Sequence, residues 1–131
     1  MFSANARSLV KNKIEYEALF QEIKIKTNHN FDVLSFTETW SDSNTENLLH
    51  FENYHSIIKH KTERKEGGGI AMFVKESLLF HLRPDLSLPP DRSKEYDSLF
   101  IEMIHQTAKM LLLELFTAPP VITIFLYSLT T

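Results

Sequence analysis

The run Asp32-Val33-Leu34-Ser35-Phe36-Thr37-Glu38-Thr39-Trp40 constrains the fold more than any other stretch of the chain. Its first part is short, largely apolar and bounded by polar residues, so it reads as a buried strand. It ends on a carboxylate flanked by threonines and followed by the chain's only tryptophan. A charge at the end of an interior strand loses hydration unless something pairs with it. In open α/β sheets the carboxyl ends of strands are also where ligands gather.

The remaining pattern alternates α and β. Val10, Ile14 and Ala18 recur at i+4, and Leu19, Phe20 and Ile23 extend the same face, which predicts an amphipathic helix. Asn12 followed by Glu15 supplies a start signal of capping-box type, and the helix should fade around Thr27-Asn28-His29-Asn30. Residues 41–50 form a polar loop. Tyr54 to Lys59 and Ile70 to Val74 read as two strands of a long hairpin, joined by a basic stretch and Gly67-Gly68-Gly69. Leu78 to Asp91, with Pro84, Pro89 and Pro90, reads as irregular. Ser98 to Ile104 and Lys109 to Phe116 predict a second antiparallel pair across the turn His105-Gln106-Thr107-Ala108. From Met110 to Tyr127 the chain is mostly apolar, but Glu114 and Pro119-Pro120 divide it into pieces too short for a membrane span. Two strands are the better reading, and no membrane partner is expected.

A chain of 131 residues with 43% hydrophobic and 24% charged content fits one domain with a real core. It lacks cysteine, so disulfides, thiolate metal sites and a cysteine nucleophile are excluded. The first residues, Met1-Phe2-Ser3-Ala4-Asn5-Ala6-Arg7, show no apolar segment of the secretory kind, and an intracellular location is expected. The net charge of −3 conceals a basic run at 59–65, where Lys61, Arg64 and Lys65 suit a nucleic-acid backbone. A solvated hairpin tip diluted by Glu63 and Glu66 explains the same residues equally well. The six histidines (29, 50, 55, 60, 81 and 105) are dispersed, with no paired ligand spacing.

Asn5 lies just before the helix and Glu38 at the end of the following strand, so both should reach the carboxyl edge of one sheet. An amide and a carboxylate there suit a hard cation such as Mg²⁺, which takes one or two protein carboxylates and fills its other positions with water and phosphate oxygens. Read from the residues alone, the ordinary reading is the stronger one, with Asn5 a turn residue and Glu38 a solvated strand end.

The ordered set Asn5-Ala6-Arg7-Ser8-Leu9, Asp32 to Trp40, Tyr54, Gly67 to Lys75, Ser98-Leu99-Phe100-Ile101-Glu102 and Pro119-Pro120 resembles the endonuclease/exonuclease/phosphatase superfamily. Within it, the wording is most similar to the endonuclease domains of non-LTR (LINE-type) retrotransposon polyproteins. The likeness spans about residues 4 to 120 and the N-terminal part of that domain, with 121–131 as a divergent apolar tail. It implies an α/β fold, the N-terminal portion of a four-layer αββα sandwich. It also implies Mg²⁺-dependent phosphodiester hydrolysis that nicks DNA, with Glu38 as metal ligand and Asn5 beside the scissile phosphate.

Departures from the family pattern qualify the expected activity. Thr117-Ala118 stands where the family has a tyrosine and an arginine before the two prolines. The family's Gly-Asp-Phe-Asn and Ser-Asp-His motifs, which supply the catalytic aspartate, asparagine and histidine, do not occur in this sequence. The chain alone is therefore expected to be inactive. Half of a sandwich would also expose a sheet face or edge, predicting poor solubility or self-association. The competing functional reading is a non-catalytic binding or interaction module that keeps half of the fold.

Overall fold

The computed structural model describes residues 1–60, 68–86, 96–104, 108–117 and 121–129, with side chains over 1–60, 68–86 and 99–104. It is a mixed α+β structure: among the described residues there is one α-helix, with two four-stranded sheets. The chain divides into two compact units, Met1–Glu76 and Ser77–Thr131.

The first unit contains β1 (Phe2–Asn5), α1 (Leu9–Thr27), β2 (Val33–Thr37), a 3₁₀ turn (Glu46–Leu48), β3 (Tyr54–Lys59) and β4 (Ile70–Lys75). The strand order is β1-β2-β4-β3. β1 and β2 are parallel, with Phe2 opposite Leu34 and Asn5 opposite Thr37. The other pairings are antiparallel, including the expected β3–β4 hairpin, whose ladder runs from Tyr54↔Lys75 to Lys59↔Ile70. The residues joining those strands, with Lys61, Arg64, Lys65 and Gly67, lie outside the described residues.

β1 is the element that the sequence pattern misses. Its two apolar residues, Phe2 and Ala4, alternate with Ser3 and Asn5, so one face packs inward and the other carries polar groups. Parallel strands need a crossover, and α1 provides it. The helix does not start at the expected Asn12–Glu15 pair. Ser8 is the N-cap, its hydroxyl accepting from the Lys11 N–H at 3.4 Å. Asn12 instead turns its amide back to donate to the carbonyls of Ala6 (3.0 Å) and Arg7 (3.3 Å). Asn28, in the left-handed region at φ 56, ends the helix, its N–H bonding the Lys24 carbonyl.

The helix buries only part of the expected face, keeping Val10 and Phe20 and leaving out Ile14 and Ala18. Ile14 is 80% exposed and Ala18 is exposed, whereas Leu9 is fully buried and Val10, Tyr16 and Phe20 pack on the core. The aromatics explain the choice. Phe2, Tyr16, Phe20, Phe31, Phe36, Phe51 and Phe73 form one continuous cluster, with centroid separations such as 4.7 Å (Phe51–Phe73) and 4.9 Å (Tyr16–Phe36). Large rings bury more apolar area than Ile or Ala, so the helix rotates to place Tyr16 and Phe20 inside. β2 and β4 are buried on both faces, since Val33, Ile70, Met72 and Val74 are covered as well as Leu34, Phe36 and Phe73.

The second unit is antiparallel throughout, in the order β5 (Leu79–Leu82), β6 (Tyr96–Ile104), β7 (Ala108–Thr117), β8 (Val121–Leu129). The β6–β7 and β7–β8 pairs occupy the segments expected to be strands. β5 and a 3₁₀ turn at Pro84–Leu86 fall where irregular chain was expected. Arg83 closes β5: its guanidinium grips Asp85 at 2.8 and 2.9 Å and Glu102 on β6 at 2.5 Å, and its N–H donates to the Phe100 carbonyl. That guanidinium holds the Asp85 carboxyl below the usual carboxylate range. No helix among the described residues is long and apolar enough to cross a membrane, a statement that does not bear on strands.

Tyr54 ties β3 to the chain before β2, its hydroxyl donating to the Phe31 carbonyl at 2.5 Å. Burial, then the Asp32 charge, raises its pKa above 10.0. Because the folded value lies above the unfolded one, its contribution is complete below pH 10.0 and disappears as pH rises through the folded value. Urea midpoints measured from pH 8 upward should fall steeply beyond about pH 10 for the wild type. Tyr54→Phe should start about 1 kcal/mol less stable. It should then fall less steeply, the remaining slope including Tyr16, whose pKa is raised in the same way.

Candidate functional site

Parallel pairing of β1 with β2 places Asn5 directly opposite Thr37, and Glu38 is the next residue. The structure thus brings Asn5 and Glu38 to the same carboxyl edge of adjacent strands. Beyond the ladder the two chains stay joined. The N–H groups of Ala6, Ser8 and Leu9 donate to the carbonyls of Thr37 (2.8 Å), Glu38 (2.9 Å) and Thr39 (3.0 Å). On the other side, the N–H groups of Thr39 and Trp40 donate to the carbonyls of Gly69 (3.3 Å) and Gly68 (2.9 Å). The Glu38 segment is therefore sewn between the β1–α1 turn and the start of β4.

This stitching holds an unusual backbone. Glu38 and Trp40 both sit at φ 54, and Arg7 and Ser8 in the facing turn are also at positive φ. Such conformations in residues with a Cβ cost on the order of 1–3 kcal/mol each and persist only where surrounding bonds enforce them. Gly68 and Gly69, at φ 87 and 89, reach the same region without that cost and bring their carbonyls to the loop.

The half-buried Glu38 carboxylate is held through one oxygen. Trp40 Nε1 donates to Oε2 at 2.6 Å, and the Gly68 N–H donates to the same oxygen at 3.3 Å. Among the described residues, Oε1 accepts no hydrogen bond. Asn5 is exposed, and its Oδ1 accepts from the Arg7 N–H at 3.3 Å. A carbonyl oxygen has two lone pairs, so one remains open. Thr37, paired with Asn5 and on the same face, is fully buried, and its Oγ1 has no partner among the described residues. The available donors are hard oxygens, which fit Mg²⁺. No cluster of three or more His, Asp or Glu groups suited to a metal occurs among the described residues. Glu38 is therefore the one carboxylate that this edge offers there.

A relay behind the loop, buried at Thr39 and Ser41 and reaching the surface at Glu46, was not legible in the sequence. Thr39 Oγ1 and Ser41 Oγ lie 3.1 Å apart, Ser41 Oγ meets His60 Nδ1 at 3.2 Å, and His60 Nε2 lies 3.5 Å from Glu46 Oε2. Ser41 is fully buried, so it anchors the loop and is closed to a substrate. Lys61, Arg64 and Lys65, the candidate nucleic-acid contacts, fall outside the described residues. A groove of about 550 Å³ runs along α1 and residues 50–54, near the opposite end of β2, and includes neither Asn5 nor Glu38.

Ser41→Ala removes the centre of the relay and leaves the Thr39 hydroxyl and the His60 ring without it. It should cost about 1–3 kcal/mol in a urea melt, with faster hydrogen exchange at the Thr39 and Trp40 amides. Comparison with family models, curated proteins and solved structures returns no match to this chain.

Proposed function

We propose that the chain carries the cation-binding half of a Mg²⁺-dependent phosphodiester-hydrolysing site of the DNA-nicking, LINE-type endonuclease kind. The observation that carries this reading is that Asn5, opposite Thr37 at the end of β1, and Glu38, the residue after Thr37, reach one edge of adjacent parallel strands, with Glu38 Oε1 accepting no hydrogen bond among the described residues. Glu38 Oε1 would hold the cation and Asn5 would face the phosphate. A bound Mg²⁺ neutralises phosphate charge and favours attack by water. The chain's own part is to fix the carboxylate and to present an amide beside it.

This reading takes the fold as the N-terminal portion of an αββα sandwich, and the mixed α+β composition, with one helix and two four-stranded sheets among the described residues, supports its class. Within the first unit, the packing of α1 on one face of the sheet supports it. The exposed Leu79 and Leu82 of β5, at the edge of the second sheet, offer a surface for self-association.

Asn5 and Glu38 alone supply no proton acceptor for water, and a catalytic set that acts as a unit loses most of its rate when members are missing. The chain should therefore bind Mg²⁺ weakly and not nick. Calorimetric titration with Mg²⁺ should give a one-site isotherm that Glu38→Ala abolishes, while supercoiled plasmid with Mg²⁺ stays intact for both proteins. An isotherm unchanged by Glu38→Ala would sink the cation reading and leave the binding-module alternative. Nicking that depends on Glu38 would keep the cation reading and overturn the expected inactivity.

A further inference from the structure

We propose that Trp40 is a positioning residue for Glu38, its indole N–H locking the carboxylate so that only Oε1 faces a divalent cation; the inference rests on the cation reading above. Trp40 is 43% exposed, among the described residues its ring contacts no other aromatic, and it sits at φ 54. Ring stacking therefore does not explain its place. Its one polar atom is directed at Glu38 Oε2 at 2.6 Å, a short bond of charge-assisted character. The Gly68 N–H adds a second donor to that same oxygen. Two donors on Oε2 fix the rotation of the carboxylate, and the vacant lone pairs of Oε1 are left pointing away from them.

The backbone supports the same arrangement. Trp40 N–H is anchored on the Gly68 carbonyl at 2.9 Å, so the residue that carries the indole and the residue that supplies the second donor are bonded to each other. A glutamate that is already ordered loses less freedom on binding a cation. Groups that orient a metal ligand from behind are typically worth 10–100-fold in metal affinity. With the Gly68 donor retained, loss of the indole N–H should weaken binding about tenfold.

Two measurements on the full chain test this. The single tryptophan gives one indole N–H resonance in a ¹H–¹⁵N spectrum without metal, and Glu38→Ala should move it upfield towards the position of a solvated indole. An unchanged resonance would overturn the proposal. Free Mn²⁺ is then counted by electron paramagnetic resonance during titration of wild type, Glu38→Ala and Trp40→Phe. A chain with benzothienylalanine at position 40, which keeps the ring size but lacks the N–H, guards against misfolding of the phenylalanine variant. Both position-40 variants should bind Mn²⁺ about tenfold more weakly at an unchanged urea midpoint, and Glu38→Ala should not bind it. Wild-type affinity in both position-40 variants, with binding lost only in Glu38→Ala, would overturn the positioning role and leave the cation reading intact. Mn²⁺ binding indifferent to Glu38→Ala would overturn the cation reading, and the positioning role with it, even where the indole resonance shifts.

Discussion

The parallel pairing of β1 with β2 is the constraint on which the first unit depends. Parallel neighbours cannot be joined by a tight turn, so the chain must cross over, and α1 is that crossover. The crossover brings the residue that ends β1 and the residue that follows β2 to one edge. Asn5 and Glu38 are 33 positions apart in the sequence, yet one ends β1 opposite Thr37 and the other follows Thr37 at the same edge. Without the parallel register they would be a turn residue and a strand end with nothing in common.

The aromatic cluster holds that crossover in place. Phe2 from β1 meets Tyr16 and Phe20 from α1 and Phe36 from β2, and Tyr16 meets Phe36, edge-on or tilted at 4.9–6.0 Å. Phe51 and Phe73 extend the packing from the loop before β3 and from β4. Fully burying a ring contributes roughly 1.5–3 kcal/mol, and offset pairs add about 0.5–1.5 kcal/mol. Those magnitudes are comparable to the cost of holding Glu38 and Trp40 at positive φ. The strained edge is thus sustained by the packing behind it together with the backbone bonds across it.

Much of the sheet structure was legible because it rests on local pattern. The β2, β3, β4, β6, β7 and β8 segments are apolar or β-branched runs punctuated by Gly, Pro or polar turns, and the structure makes strands of all of them. β1 was not legible, because Phe2-Ser3-Ala4-Asn5 has two apolar residues and becomes extended only by pairing with β2. The buried face of α1 was legible only in part, at Val10 and Phe20, because apolar residues surround the helix. Ile14 and Ile25 stay in solvent while the rings take the interior. At the edge, the positions of Asn5 and Glu38 followed from their places just before the helix and at the end of the strand after it. The indole–carboxylate bond did not, because here it forms with Glu38 and Trp40 both at positive φ, a backbone state that the residue pattern does not announce. The relay from Ser41 through His60 to Glu46 was hidden for another reason, since its members are 19 and 14 positions apart and meet only when the β3–β4 hairpin folds beside the loop.

The central claim is that a divalent cation binds at Glu38 Oε1 on the carboxyl edge of β2. Paramagnetic broadening by substoichiometric Mn²⁺ locates the ion directly, because broadening falls steeply with distance. The account predicts that the Trp40 indole N–H and the backbone amides of Ala6, Glu38 and Gly68 broaden first. An indole resonance that stays sharp while amides elsewhere, such as those of Asp42 and Glu46, broaden would contradict it.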